Sequence, residues 1–113
     1  MIVDRPWGRV ATFALNQTTT VRLVTVRPGA GTGAHYHRLR DEMWIVLDEG
    51  LTIEIGNRVL PASSGDEFTV PAEEPHRVRC TGSEAGRILQ IAFGYSSEDD
   101  RLAADGAPAE DDW

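Results

Sequence analysis

The stretch Gly29-Ala30-Gly31-Thr32-Gly33-Ala34-His35-Tyr36-His37-Arg38-Leu39-Arg40-Asp41-Glu42-Met43-Trp44-Ile45-Val46-Leu47 decides the reading of this chain. It opens on Pro28-Gly29, a turn signal, and closes on the apolar run Met43 to Leu47, which reads as a buried strand. Between them, His35 and His37 are separated by one residue, so on an extended strand both imidazoles leave the same face. Glu42 follows five residues after His37. The third and last histidine, His76, comes much later, just past Pro71. Two same-face imidazoles, a carboxylate and a distant third imidazole make a sensible divalent-metal set. Imidazole suits Zn, Fe, Ni and Cu, and the carboxylate adds charge neutralisation and suits Mn. An H-x-H pair alone is as compatible with packed histidines as with ligands.

Outward from this stretch the chain reads as a string of short strands. Arg9 to Phe13 is a weak first candidate. Val21 to Val26 is rich in β-branched residues, and Leu51 to Ile55 alternates apolar and polar. Gly56-Asn57 then turns the chain into Arg58-Val59-Leu60, which predicts a hairpin. Phe68 to Val70, His76 to Thr81 and Arg87 to Phe93 supply the rest. No apolar stripe at helical spacing runs beyond two turns in residues 1–97. Turn signals recur every 8–12 residues or so, which predicts an all-β sandwich or barrel. Alternation from His76 puts Val78 and Cys80 inward and Arg77 and Arg79 outward.

Composition narrows the function. The 113 residues make one domain, 41% apolar and 26% charged, which is globular composition. No apolar run is long enough to span a membrane, and the start has no secretory pattern, so a cytoplasmic location is expected. The net charge of −7 is uneven: residues 98–113 hold seven acids and one arginine, while residues 1–97 hold eleven acids and ten arginines. The near-neutral body argues against nucleic acid as a partner. Residues 98–113 are expected to form an acidic tail, mobile from Asp105 to Trp113. All eleven basic residues are arginine, which removes Schiff-base chemistry and any lysine base. Cys80 is the single cysteine, so an internal disulfide and a Cys-rich zinc site are both excluded.

At this point the sequence resembles the cupin superfamily. Its first motif, G-x5-H-x-H-x3,4-E-x6-G, matches Gly29, His35, His37 and Glu42, with Gly50 as the closing glycine one residue late. Its second motif, G-x5-P-x-G-x2-H-x3-N, matches Gly65, Pro71 and His76, with Glu73 in place of the usual glycine and Cys80 in place of the asparagine. The resemblance implies a jelly-roll barrel (a double-stranded β-helix) over residues 1–97 and a metal site of His35, His37, Glu42 and His76. The ion would be Zn, Mn, Fe, Ni or Co. It also implies a homodimer, since cupins commonly pair their exposed sheet edges.

A narrower resemblance covers nearly the whole body. The C-terminal cupin domain of type II mannose-6-phosphate isomerases opens on R-P-W-G, matched by Arg5-Pro6-Trp7-Gly8. Its H-x-x-R-x-E-x-W segment is matched by His37, Arg40, Glu42 and Trp44, and its P-x-x-x-x-H-R segment by Pro71, His76 and Arg77. Its closing G-x-Y-x-x-E-D-D is similar to Gly94-Tyr95 with Glu98-Asp99-Asp100. The first ligand there is usually glutamine and here is His35, a departure toward a three-histidine site. The resemblance implies aldose–ketose isomerisation of a phosphosugar through a metal-stabilised enediolate, with a small-molecule substrate, a sugar or sugar phosphate, as the partner. Two other functions remain open: a three-His-one-Glu dioxygenase, and a non-catalytic sugar- or metabolite-binding cupin.

Other residues carry smaller expectations. Arg40 is either a catalytic group that binds phosphate or stabilises negative charge near the metal, or a surface partner of nearby acids. Trp44 shares the face of Glu42, in the core or on the pocket wall. Arg5 to Gly8 is expected to form a packing clasp, with Trp7 over a sheet edge or at a subunit interface. Glu98 to Asp100, which match the isomerase tail, are expected to form an exposed acidic turn, with contact to the pocket mouth as the lesser reading.

Overall fold

The computed structural model describes residues 1–103 and 105–106. The chain forms strands β1 (Ile2–Arg5), β2 (Gly8–Ala11), β3 (Thr19–Val26), β4 (His35–Tyr36), β5 (Glu42–Val46) and β6 (Leu51–Ile55). It continues through β7 (Arg58–Ala62), β8 (Glu67–Val70), β9 (His76–Cys80), β10 (Gly86–Phe93) and β11 (Leu102–Ala103). No α-helix occurs among the described residues, so none there is long and apolar enough to cross a membrane. The all-β reading of the sequence holds.

Two antiparallel sheets face each other. One has the order β3-β10-β5-β8 and the other β11-β4-β9-β6-β7. Alternation decides what lies between them. In β6, Leu51, Ile53 and Ile55 are buried, while Thr52 and Glu54 are only partly covered. In β9, Val78 and Cys80 point inward, as the alternation from His76 predicts, and Arg79 is exposed. These residues join Val26, Trp44, Val46, Ala62, Val70 and Ile88 in one core. The expected hairpin is present: Gly56 and Asn57 form its turn, with Ile55 paired to Arg58 and Gly56 at φ +60°.

The N-terminal segment differs from expectation. Ile2–Arg5 pairs with Gly8–Ala11 in a separate two-stranded sheet. Pro6 and Trp7 are the tip of this hairpin, and Trp7 is 75% exposed instead of covering a sheet edge of its own chain. Proline suits this position because a turn residue needs no ladder N–H.

The acidic tail expected from residue 98 begins as part of the fold. Ser97 caps a single 3-10 turn, Glu98–Asp100, by accepting a hydrogen bond from the Asp99 N–H. β11 then joins the edge of β4, with Leu102 opposite Tyr36 and Ala103 opposite His35. Asp100 is buried rather than exposed. Its carboxylate accepts the backbone N–H groups of Arg38 at 3.0 Å and Leu39 at 2.9 Å, which offsets the cost of its burial. Glu110, Asp111, Asp112 and the rest of 107–113 lie outside the described residues.

Ile53 is fully buried at the middle of β6 and belongs to the core between the sheets. Ile53→Ala should cost about 2–5 kcal/mol through lost contacts and the cavity left behind. Urea unfolding reads this as a lower midpoint at an unchanged slope.

Candidate metal centre

The topology brings the three histidines together from distant parts of the chain. His35 on β4 stands directly opposite His76 at the start of β9. His37, one residue past β4, keeps the same face as His35. Their ring centroids lie 4.3 Å (His35–His76), 5.2 Å (His35–His37) and 5.1 Å (His37–His76) apart. Each ring offers a nitrogen, and these ligand atoms all lie within 4.8 Å of one another. The rings are sealed from solvent at 0–2% exposure.

Their tautomers follow from their neighbours. His35 Nδ1 lies 3.0 Å from the Gly33 carbonyl, His37 Nδ1 2.9 Å from the Asp100 carbonyl, and His76 Nδ1 2.9 Å from the Glu74 carbonyl. A carbonyl oxygen only accepts, so in each ring Nδ1 carries the proton and Nε2 the lone pair. That neutral tautomer is the form in which an imidazole binds a metal ion. The Nε2 of His76 is buried and has no hydrogen-bond partner among the described residues. An ion held by the three Nε2 atoms would satisfy it, so the donor set fits a divalent metal.

Burial also shifts the titration of these rings. His76 is pushed down to about 4, by burial first and the His35 charge next, with His37 acting in the same direction, against the raising effects of the Glu74 carbonyl and Glu42. His37 is lowered as well, because burial and the Arg40 and His35 charges outweigh Glu42 and the Asp100 carbonyl.

Glu42 starts β5 on the opposite sheet, and its side chain is buried. It is not in the group of three imidazoles within 4.8 Å. One oxygen, Oε1, accepts from Trp44 Nε1 at 2.9 Å and Gln90 Nε2 at 2.8 Å. The other, Oε2, accepts from Arg40 Nε at 2.6 Å and lies 3.4 Å from His37 Nε2. Burial pushes this carboxyl up, but the Arg40 charge, the two hydrogen bonds and His37 outweigh it and leave it below its ordinary value. Glu42 is therefore ionised at neutral pH.

Arg40 is buried, at 4% exposure, rather than a surface partner of Asp41, Asp48 or Glu49. Besides holding Glu42, its Nη2 lies 3.0 Å from His37 Nε2. Trp44 is both core and site wall: it is fully buried, and its ring meets the His76 ring edge-on at 5.3 Å. Two further residues contribute, one not singled out from the sequence and one expected from it first to be exposed. Gln90 is a polar residue at an inward position between Ile88 and Ala92, and that interruption was a readable signal. Asp100 orients His37 through its carbonyl and fixes the following backbone through its carboxylate.

The loop before His76 explains a motif departure. Glu73 stands where the family's second motif has glycine, and it adopts φ +70°, the left-handed region that favours glycine. Its N–H donates to the His37 carbonyl at 2.6 Å, joining this loop to the ligand segment. Glu73→Gly should relieve the strain and raise stability by about 0.5–1 kcal/mol, read as a higher thermal midpoint.

The depressed histidines set a pH dependence for the metal-free protein. An unfolded histidine titrates near 6.5, whereas folded His76 resists protonation until about 4. Between those values the unfolded chain binds the extra proton, so stability is present above 6.5 and is lost as pH falls toward 4. The thermal midpoint of chelator-treated protein should fall across that window, and His76→Gln should flatten the slope. A midpoint independent of pH there would contradict the buried neutral ring.

A family model described as Cupin domain matches residues 22–92, more than half of the chain. The chain is similar to the xanthan biosynthesis protein XanB of Xanthomonas campestris pv. campestris. The two are 30% identical over 99 residues, 87% of this chain and 21% of that protein. It is similar to a mannose-1-phosphate guanylyltransferase of Salmonella muenchen, again 30% identical over 99 residues, with the same coverage of each chain. The chain spans about a fifth of the length of the curated relatives it matches. Among solved structures, it is similar to a protein of Acidithiobacillus ferrooxidans provisionally described as a sugar phosphate isomerase. That match has a TM-score of 0.62 at 25% identity and covers 68% of this chain and 51% of the other.

Proposed function

The chain belongs to the cupin family, and from that premise we propose that it is a metal-dependent isomerase of the mannose-6-phosphate isomerase type, acting on a small phosphosugar. His35, His37 and His76 hold the ion through their Nε2 atoms. A divalent ion bound there supplies Lewis-acid polarisation of a sugar carbonyl and its neighbouring hydroxyl. Arg40 stabilises negative charge on the substrate beside the ion. Proton abstraction needs a base, and the ionised Glu42 carboxylate, 3.4 Å from His37 Nε2, is the group assigned to it. This gives Glu42 a part other than the ligand its motif position implies.

The observation that carries the reading is the Arg40 guanidinium, buried within hydrogen-bonding distance of a ligand imidazole. A buried cation beside a three-imidazole site suits an anionic sugar derivative. The likeness to a mannose-1-phosphate guanylyltransferase and to a protein provisionally described as a sugar phosphate isomerase supports the same substrate class.

The test combines elemental mass spectrometry of the purified protein with a coupled assay of mannose 6-phosphate to fructose 6-phosphate conversion. The expected result is one Zn, Mn or Co per chain and turnover that needs it, both lost in His37→Ala. No conversion with any reconstituted metal would reject the isomerase. A second reading is favoured by the ligand set itself: three imidazoles with the carboxylate turned aside suit iron in an oxygenase. One iron per chain with substrate-dependent oxygen uptake would establish it instead.

A further inference from the structure

The lone pair on His37 Nε2 has two competing uses. His37 Nδ1 donates to the Asp100 carbonyl, so Nε2 is the only acceptor on that ring. Arg40 Nη2 lies 3.0 Å away and, having no acceptor capacity of its own, donates into that lone pair. The same ring belongs to the group of three imidazoles whose ligand atoms lie within 4.8 Å. A metal ion bound through His37 Nε2 needs the lone pair that Arg40 already uses.

We propose that Arg40 is an internal competitor of the metal ion: it holds His37 in the metal-free protein, and metal loading proceeds by breaking that hydrogen bond. The inference rests on the metal-holding reading proposed above. Arg40 is built into the site. Its Nε donates to Glu42 Oε2 at 2.6 Å, and Oε1 of the same carboxylate is taken by Trp44 and Gln90. Without a cation, this site would bury an uncompensated carboxylate beside converging imidazole lone pairs, which is costly. The guanidinium removes that cost in the metal-free state. Metal affinity is then measured against an already satisfied His37 and is lower than the three imidazoles alone would give. A hydrogen bond from a charged donor is worth enough to weaken binding roughly tenfold to hundredfold.

The experiment titrates Zn²⁺ or Mn²⁺ alone into chelator-treated wild type and Arg40→Met, by competition with a chromogenic chelator. The expected result is one ion per chain in both, with the variant binding roughly tenfold to hundredfold more tightly. Should Arg40→Met fail to fold because Glu42 is left unpaired, a second pair asks the same question. Glu42→Gln and the double variant Arg40→Met/Glu42→Gln differ only at residue 40, and the double variant should bind more tightly. A metal-free readout accompanies both: imidazole ¹⁵N resonances should show His37 Nε2 as a hydrogen-bonded lone pair in wild type and an open one in Arg40→Met. Equal or weaker affinity in the folded variants, or a His37 signal that ignores the substitution, overturns the competition while leaving the metal site standing. No binding by any of these proteins, even with the expected His37 response, overturns the metal reading and the competition together.

Discussion

The site depends on one buried carboxylate. Glu42 receives Arg40 on one oxygen and Trp44 and Gln90 on the other, so three segments of chain converge on a single charged group. Glu42 and Trp44 come from β5, Gln90 from β10 and Arg40 from the loop that follows His37. A buried ion pair adds little net stability, because desolvation cancels much of its attraction. Its effect here is geometric. It fixes Arg40 against His37. The imidazoles across from it are held by backbone carbonyls, so their donor atoms are oriented before any ligand arrives.

Much of this was legible in the sequence because strand periodicity is local. The alternation in Leu51 to Ile55 and the spacing of His35 and His37 each fix a face within a few residues. The meeting of His76 with His35 was readable only through the motif frame, because register between distant strands is not written in either one. The role of Arg40 was left open between surface and pocket, since one arginine among several acids looks alike in both. Burial places the residue inside, and burial is a property of the whole fold. β4 and β11 went unread because each is two residues long, below the length at which alternation carries a signal. Asp100 was hidden in an acidic run whose composition predicts solvent. Two backbone N–H groups needing an acceptor outweighed that composition. Glu73 shows the reverse case, a motif departure whose cost is visible only in its backbone angle.

The order in which the site can assemble is set by the separation of its parts along the chain. The carbonyl that fixes the His37 ring belongs to Asp100, sixty-three residues later. β3 must wait for β10 to find its ladder partner, and β4 must wait for β9 and β11. Topologies dominated by such distant pairings fold slowly, because loop closure is unfavourable until the far contacts form. During synthesis, which proceeds from the N-terminus, His35 and His37 leave the ribosome well before the residues that orient them. Until Asp100 follows, the nascent chain holds an unoriented pair of imidazoles, and the ordered three-imidazole site belongs only to a chain synthesised past Asp100.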